Sequence, residues 1–82
     1  MSRRRPVPTR EQTYRVVDAL TDRVYDSVED VVEVGEYVLE YINSVSGEEL
    51  ESGRGARHEL QEAYMSLREA LARCERAARK LE

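Results

Sequence analysis

The sequence predicts an all-α fold: an antiparallel helical hairpin of two long helices, at about residues 10–45 and 56–81, dimerising into a four-helix bundle. Three observations point there. Valines recur every seven residues through the first half, leucines and alanines recur at helical spacing through the second, and a glycine-bearing stretch separates them. At 82 residues the chain is one domain. A chain this short buries only roughly 60% of its unfolded surface, so a lone copy is marginally stable. With no Trp and no Phe, core volume has to come from Val, Leu, Ala and the five Tyr.

Residues 1–8 read as a disordered basic tail, because Pro6 and Pro8 disfavour helix in the residues before them. The hairpin domain then occupies residues 9–82. Thr9 is a good N-cap, and Gln12 three residues on completes a capping box. Val17, Val24, Val31, Val38 and Val45 follow at one heptad position, a. Position d holds Leu20, Ser27, Val34 and Tyr41, and position e holds Thr21, Val28, Gly35 and Ile42. Such a repeat is the pattern of coiled-coil packing. A strand assignment fails, since Val31-Val32, Tyr37-Val38-Leu39 and Tyr41-Ile42 would put neighbouring apolar residues on opposite faces. Tyr25, Val32, Tyr37 and Leu39 widen the apolar side beyond what one partner helix covers. Gly35 costs about 0.5–1 kcal/mol against Ala in mid-helix, which a close approach by a neighbouring backbone would offset. Ser27-Val28-Glu29-Asp30 has the form of a fresh helix start, so the alternative is a three-helix bundle broken near Ser27.

The connection falls at residues 46–55. Ser46-Gly47-Glu48-Glu49 has the form of a capping box opening one helical turn, and Gly53-Arg54-Gly55 punctuates the chain. In the second helix Leu60, Leu67, Cys74 and Leu81 hold one seam position and Ala63, Ala70 and Ala77 the next, with Tyr64, Leu71 and Ala78 beside them. Its charges run from Glu59 and Glu62 to Arg73, Arg76, Arg79 and Lys80, which suits the helix dipole. Helices of these lengths span about 54 and 39 Å and leave roughly 15 Å of the first unpaired. A second copy is expected to cover that overhang, with Tyr14, Val17, Leu20, Val24 and Gly35 as self-association residues.

Charge is segregated. Residues 1–15 carry +4, residues 16–51 carry −10 and residues 52–82 carry +2, which together make the net −4. Asp22, Asp26, Glu29, Glu33, Glu36 and Glu40 form an acidic face with like charges four residues apart, an arrangement that costs helix stability. A face built only for folding would mix signs, so these six are the expected docking face for a cationic partner, either a basic protein or the second helix or arginine tail of another copy. Arg3, Arg4, Arg5 and Arg10 are the candidate phosphate contacts of an alternative function, a small nucleic-acid-associated accessory protein.

A third function comes from Glu33-x-x-Glu36 and Glu59-x-x-Glu62. Paired glutamates on facing helices can hold Mg²⁺ or Mn²⁺. The pattern resembles the paired acidic motifs of all-α NTP pyrophosphohydrolases of the MazG and dUTPase-like kind, which implies metal-dependent nucleotide hydrolysis. It departs from them at Glu62, where that family carries Asp, and in lacking a nearby lysine. Leu50-Glu51-Ser52-Gly53 with Arg73-Cys74-Glu75 is similar to the hairpin of exodeoxyribonuclease VII small subunits, over less than half of the chain; the valine-rich first helix does not fit it. One Cys and one His make neither a disulfide nor a zinc site, and His58 reads as a surface residue. No apolar run approaches the roughly 20 residues of a membrane span. The expectation is a non-catalytic, self-associating interaction, regulatory or assembly module of the cytoplasm, a homodimer without cofactor, metal or membrane attachment.

Overall fold

The computed structural model describes residues 6–82. They form two helices, α1 (Arg10–Ser44) and α2 (Glu48–Leu81), packed antiparallel as a hairpin, with no strand among the described residues. Residues 6–8, the described part of the expected tail, have no regular structure.

α1 begins where its cap predicts. The Thr9 hydroxyl accepts from the Gln12 backbone N–H at 3.1 Å, and the Gln12 side-chain oxygen accepts from the Thr9 N–H at 2.9 Å. Both bonds satisfy donors that the first helical turn otherwise leaves unpaired. The helix runs unbroken through Ser27, which excludes the three-helix alternative. The Ser27 hydroxyl donates back to the Arg23 carbonyl at 3.0 Å rather than capping a new helix.

α2 starts at Glu48, eight residues before the expected Ala56, so the connection is only Val45-Ser46-Gly47. Gly47 is its N-cap, at φ 64° and ψ −135°, a conformation glycine adopts without the Cβ clash. No side chain caps this end, and the expected Ser46 box does not form. Three other effects extend the helix through Gly53 and Gly55. Glu48, Glu49 and Glu51 lie at the positive end of the helix dipole. Leu50 is half-buried. Gly53 is buried so closely that a Cβ would stand 2.9 Å from Ile42 Cγ1 and 3.2 Å from the Tyr41 ring.

The helices are therefore nearly equal, 35 and 34 residues, or about 52 and 51 Å. The expected overhang does not exist. Arg10 reaches the far end of α2, its guanidinium donating to the carbonyls of Leu81 at 3.0 Å, Lys80 at 3.3 Å and Glu82 at 2.9 Å. A cation there meets the unsatisfied carbonyls and negative dipole end of α2.

The seam between the helices follows positions a and e, not a and d. Val17, Thr21, Val24, Val31, Gly35, Val38, Ile42 and Val45 are half-buried and Val28 is buried, in unbroken steps of three and four. On α2 the matching ridge is Gly53, Leu60, Tyr64, Leu67, Leu71, Cys74, Ala78 and Leu81. Tyr64, Leu71 and Ala78 thus take the second seam position expected for Ala63, Ala70 and Ala77, which move to the flank. The half-buried Thr21 hydroxyl is satisfied by the Val17 carbonyl at 2.9 Å. Gly35 is not the point of close approach, since a Cβ there would meet nothing within 4 Å; Gly53 is.

Candidate interaction surfaces

One hairpin seam covers little of the apolar side of α1. Val28 and Ala78, each 8% exposed, are the buried hydrophobic core among the described residues. The uncovered residues sort onto two flanks. Position d leaves Leu20 (46% exposed), Val34 (49%) and Tyr41 (41%) on one side of the seam. Position b leaves Tyr25, Val32 and Leu39 exposed on the other. At 100° per residue these positions lie about 80° to either side of the seam centre.

The two faces of the hairpin differ because α2 differs on its two flanks. On the b side, Val31, Val32 and Leu39 share a shallow groove with Leu60, Gln61 and Tyr64. The groove continues past Tyr25 and Val28 to Arg68, Leu71 and Glu75. The missing side chain of Gly35 deepens its floor, while Arg57 and Glu36 stand at its edge. Arg68 donates to the Tyr64 hydroxyl at 2.9 Å, and its guanidinium lies 5.7 Å from that ring's centroid. This face has an apolar wall from α1, while on α2 Leu60, Tyr64, Leu71 and Ala72 alternate with Arg57, Gln61, Arg68 and Glu75. On the opposite face, position d of α1 adjoins the α2 stripe Ala56, Ala63, Ala70 and Ala77, so both walls are apolar.

The acidic residues keep to the outside. Asp22, Asp26, Glu29, Glu33, Glu36 and Glu40 are all exposed on α1. Among the described residues the ion pairs are local: Glu11–Arg15 at 2.8 Å, Glu51–Arg54 at 3.6 Å, His58–Glu62 at 3.9 Å and Glu69–Arg73 at 3.0 Å. None crosses from α1 to α2, and α2, with seven basic and seven acidic residues, does not neutralise the acidic face within one hairpin. Repulsion between successive carboxylates on α1 is left to solvent, or to another molecule.

The other sequence candidates are placed as follows. Tyr14, Val17 and Val24 are half-buried in the hairpin, covered by the C-terminal half of α2, which removes them from an exposed overhang. Leu20 remains exposed. Arg10 is engaged with the α2 carbonyls, a role missed in the sequence because it depends on both helices ending at one level. Arg3, Arg4 and Arg5 lie outside the described residues. No three His, Cys, Asp or Glu side chains converge among the described residues in a way that would hold a metal ion, and Glu33, Glu36, Glu59 and Glu62 are all exposed. Cys74 is half-buried in the seam. No described helix is long and apolar enough to cross a membrane. Comparison with models of known families, with characterised proteins and with solved structures gives no match for this chain.

Proposed function

We propose that this chain is a non-catalytic interaction and assembly module that works as a homodimer, two hairpins forming a four-helix bundle that presents the acidic face of α1 to a basic protein partner. The observation that carries the proposal is the imbalance between a buried core of Val28 and Ala78 and the large apolar side chains left exposed along α1.

Size supports it. A chain of 82 residues compacted as a globule has a radius of gyration near 12 Å, whereas this hairpin has 19.0 Å and a thinnest dimension of 14 Å. Its surface is 7051 Å². A compact 9.5 kDa chain with residues 1–9 allowed the full surface of an unfolded segment would expose roughly 6,200 Å². The excess, about 900 Å², is close to the roughly 800 Å² that each partner contributes to a standard interface. Sedimentation equilibrium across the micromolar range tests the proposal: a mass of two chains is expected, and a strict monomer would overturn it.

A further inference from the structure

Resting on that dimer, we infer which surface joins the copies and how they run: the face carrying Leu20, Val34 and Tyr41 on α1 and Ala63, Ala70 and Ala77 on α2 meets its own copy antiparallel, so that the turn of one hairpin lies over the chain ends of the other. The partner is thus a second copy of this chain, and charge selects the direction.

The choice of face follows from its two walls. A bundle core needs apolar side chains from every helix that lines it, and on this face the flanking residues of both α1 and α2 are apolar. Alanines at every seventh position also let two α2 helices approach closely, while the larger side chains of α1 fill the space beside them. The b-side groove, with Gln61, Arg68 and Glu75 along one wall, would bury polar groups against apolar ones.

Direction follows from the charge distribution along the hairpin. The half nearest the turn, residues 28–67, holds ten acidic residues against Arg54 and Arg57, a net −8. The described residues of the other half, 6–27 and 68–82, hold eight basic and seven acidic residues, a net +1, and Arg3, Arg4 and Arg5 precede them in the chain. Two face-to-face hairpins related by a twofold axis run either with both turns at one end or with turns at opposite ends. The first brings two −8 halves together. The second sets each −8 half against the more basic half of its partner, which lowers the repulsion.

Register agrees with this twofold from both helices. An axis crossing α1 midway between Ser27 and Val34 sets Leu20 over Tyr41 of the second copy and Ser27 over Val34 of the second copy. An axis crossing α2 at Ser66 sets Ala63 near Ala70 of the second copy and Glu59 beside Arg73 of the second copy. Those crossing points lie at one level of the hairpin, because Val28 and Val32 line the same groove as Tyr64 and Arg68. One axis therefore pairs Leu20 with Tyr41 and Ser27 with Val34 on α1, sets alanine near alanine on α2, and places opposite charges along the α2 rim.

Engineered thiols test direction separately from dimerisation. In a Cys74→Ala background, Ser66→Cys lies at the axis and is expected to cross-link to its own copy with a short bis-maleimide. Ser46→Cys, in the turn, is expected not to. A monomer in sedimentation sinks the dimer itself. A dimer that cross-links through Ser46→Cys and not Ser66→Cys overturns the direction alone, and one that cross-links through neither overturns the face. A charge exchange gives a second readout on the exposed rim should the Cys74→Ala background fold poorly. Glu59→Arg or Arg73→Glu alone is expected to weaken the dimer, and the double exchange to restore it; a double variant as weak as the two singles combined would overturn the pairing.

Discussion

Replacing glycine by alanine at two positions in these helices should have opposite effects, and the contrast measures how closely the helices approach beside the turn. In a helix interior the exchange gains about 0.5–1 kcal/mol, since alanine loses less backbone entropy on folding. At Gly35 a Cβ meets nothing within 4 Å, so Gly35→Ala should realise the whole gain. At Gly53 the same atom arrives 2.9 Å from Ile42 Cγ1 and 3.2 and 3.3 Å from two Tyr41 ring carbons. Overpacking of that kind costs about 1–3 kcal/mol, which cancels or exceeds the propensity gain. The difference between the variants isolates the clash and should be about 1–3 kcal/mol. For a dimer unfolding as one unit of 150–250 residues, each kcal/mol is worth about 2–4 °C in Tm. Urea and thermal melts followed by circular dichroism at one fixed protein concentration measure it, because the stability of a dimer depends on concentration. Gly53→Ala combined with Ile42→Ala should cost less than the sum of the two, since the truncated neighbour accommodates the methyl group. A Gly53→Ala protein as stable as Gly35→Ala would refute the close approach, and with it the reason that α2 runs through residues 48–55.

Three further outcomes are expected. Thr9→Ala removes the acceptor for the Gln12 N–H and should cost about 1 kcal/mol in a urea melt; an unchanged midpoint would mean that water caps the helix as well. Leu20→Glu, at a site already 46% exposed, should leave the hairpin helical by circular dichroism but shift the protein to monomer in sedimentation, because a carboxylate cannot be buried unpaired; an unaffected dimer would move the interface elsewhere. Asp30 lies at the level of the twofold on the rim of α1, facing its own copy, so Asp30→Asn should tighten the dimer, less so at high salt where the repulsion is screened; a weakened dimer would contradict the antiparallel placement.

The acidic face and the proposed dimer face were legible to different degrees. The six carboxylates could be placed on one side of α1 from periodicity alone, and their exposure follows from it. The sorting of the apolar residues could not, because positions a and d and positions a and e both satisfy a seven-residue repeat. Which pair enters the hairpin depends on the helix opposite. The a and e residues are the ones covered by the α2 ridge of Leu60, Tyr64, Leu67 and Leu71, and that leaves Leu20, Val34 and Tyr41 outside.

By itself the sequence determined the helical class, the Thr9–Gln12 start of α1 and the segregation of charge. Those are properties of neighbouring residues, carried by short-range hydrogen bonds and by the repeat. Only tertiary structure decided where α2 begins. Gly53 and Gly55 read locally as a break, yet Gly53 lies in the seam because the absence of a side chain is what lets Ile42 and Tyr41 approach. The eight residues so gained bring the helices to equal length, abolish the expected overhang and carry the end of α2 to Arg10. Contacts between residues some seventy positions apart set that arrangement, and helix periodicity does not encode them.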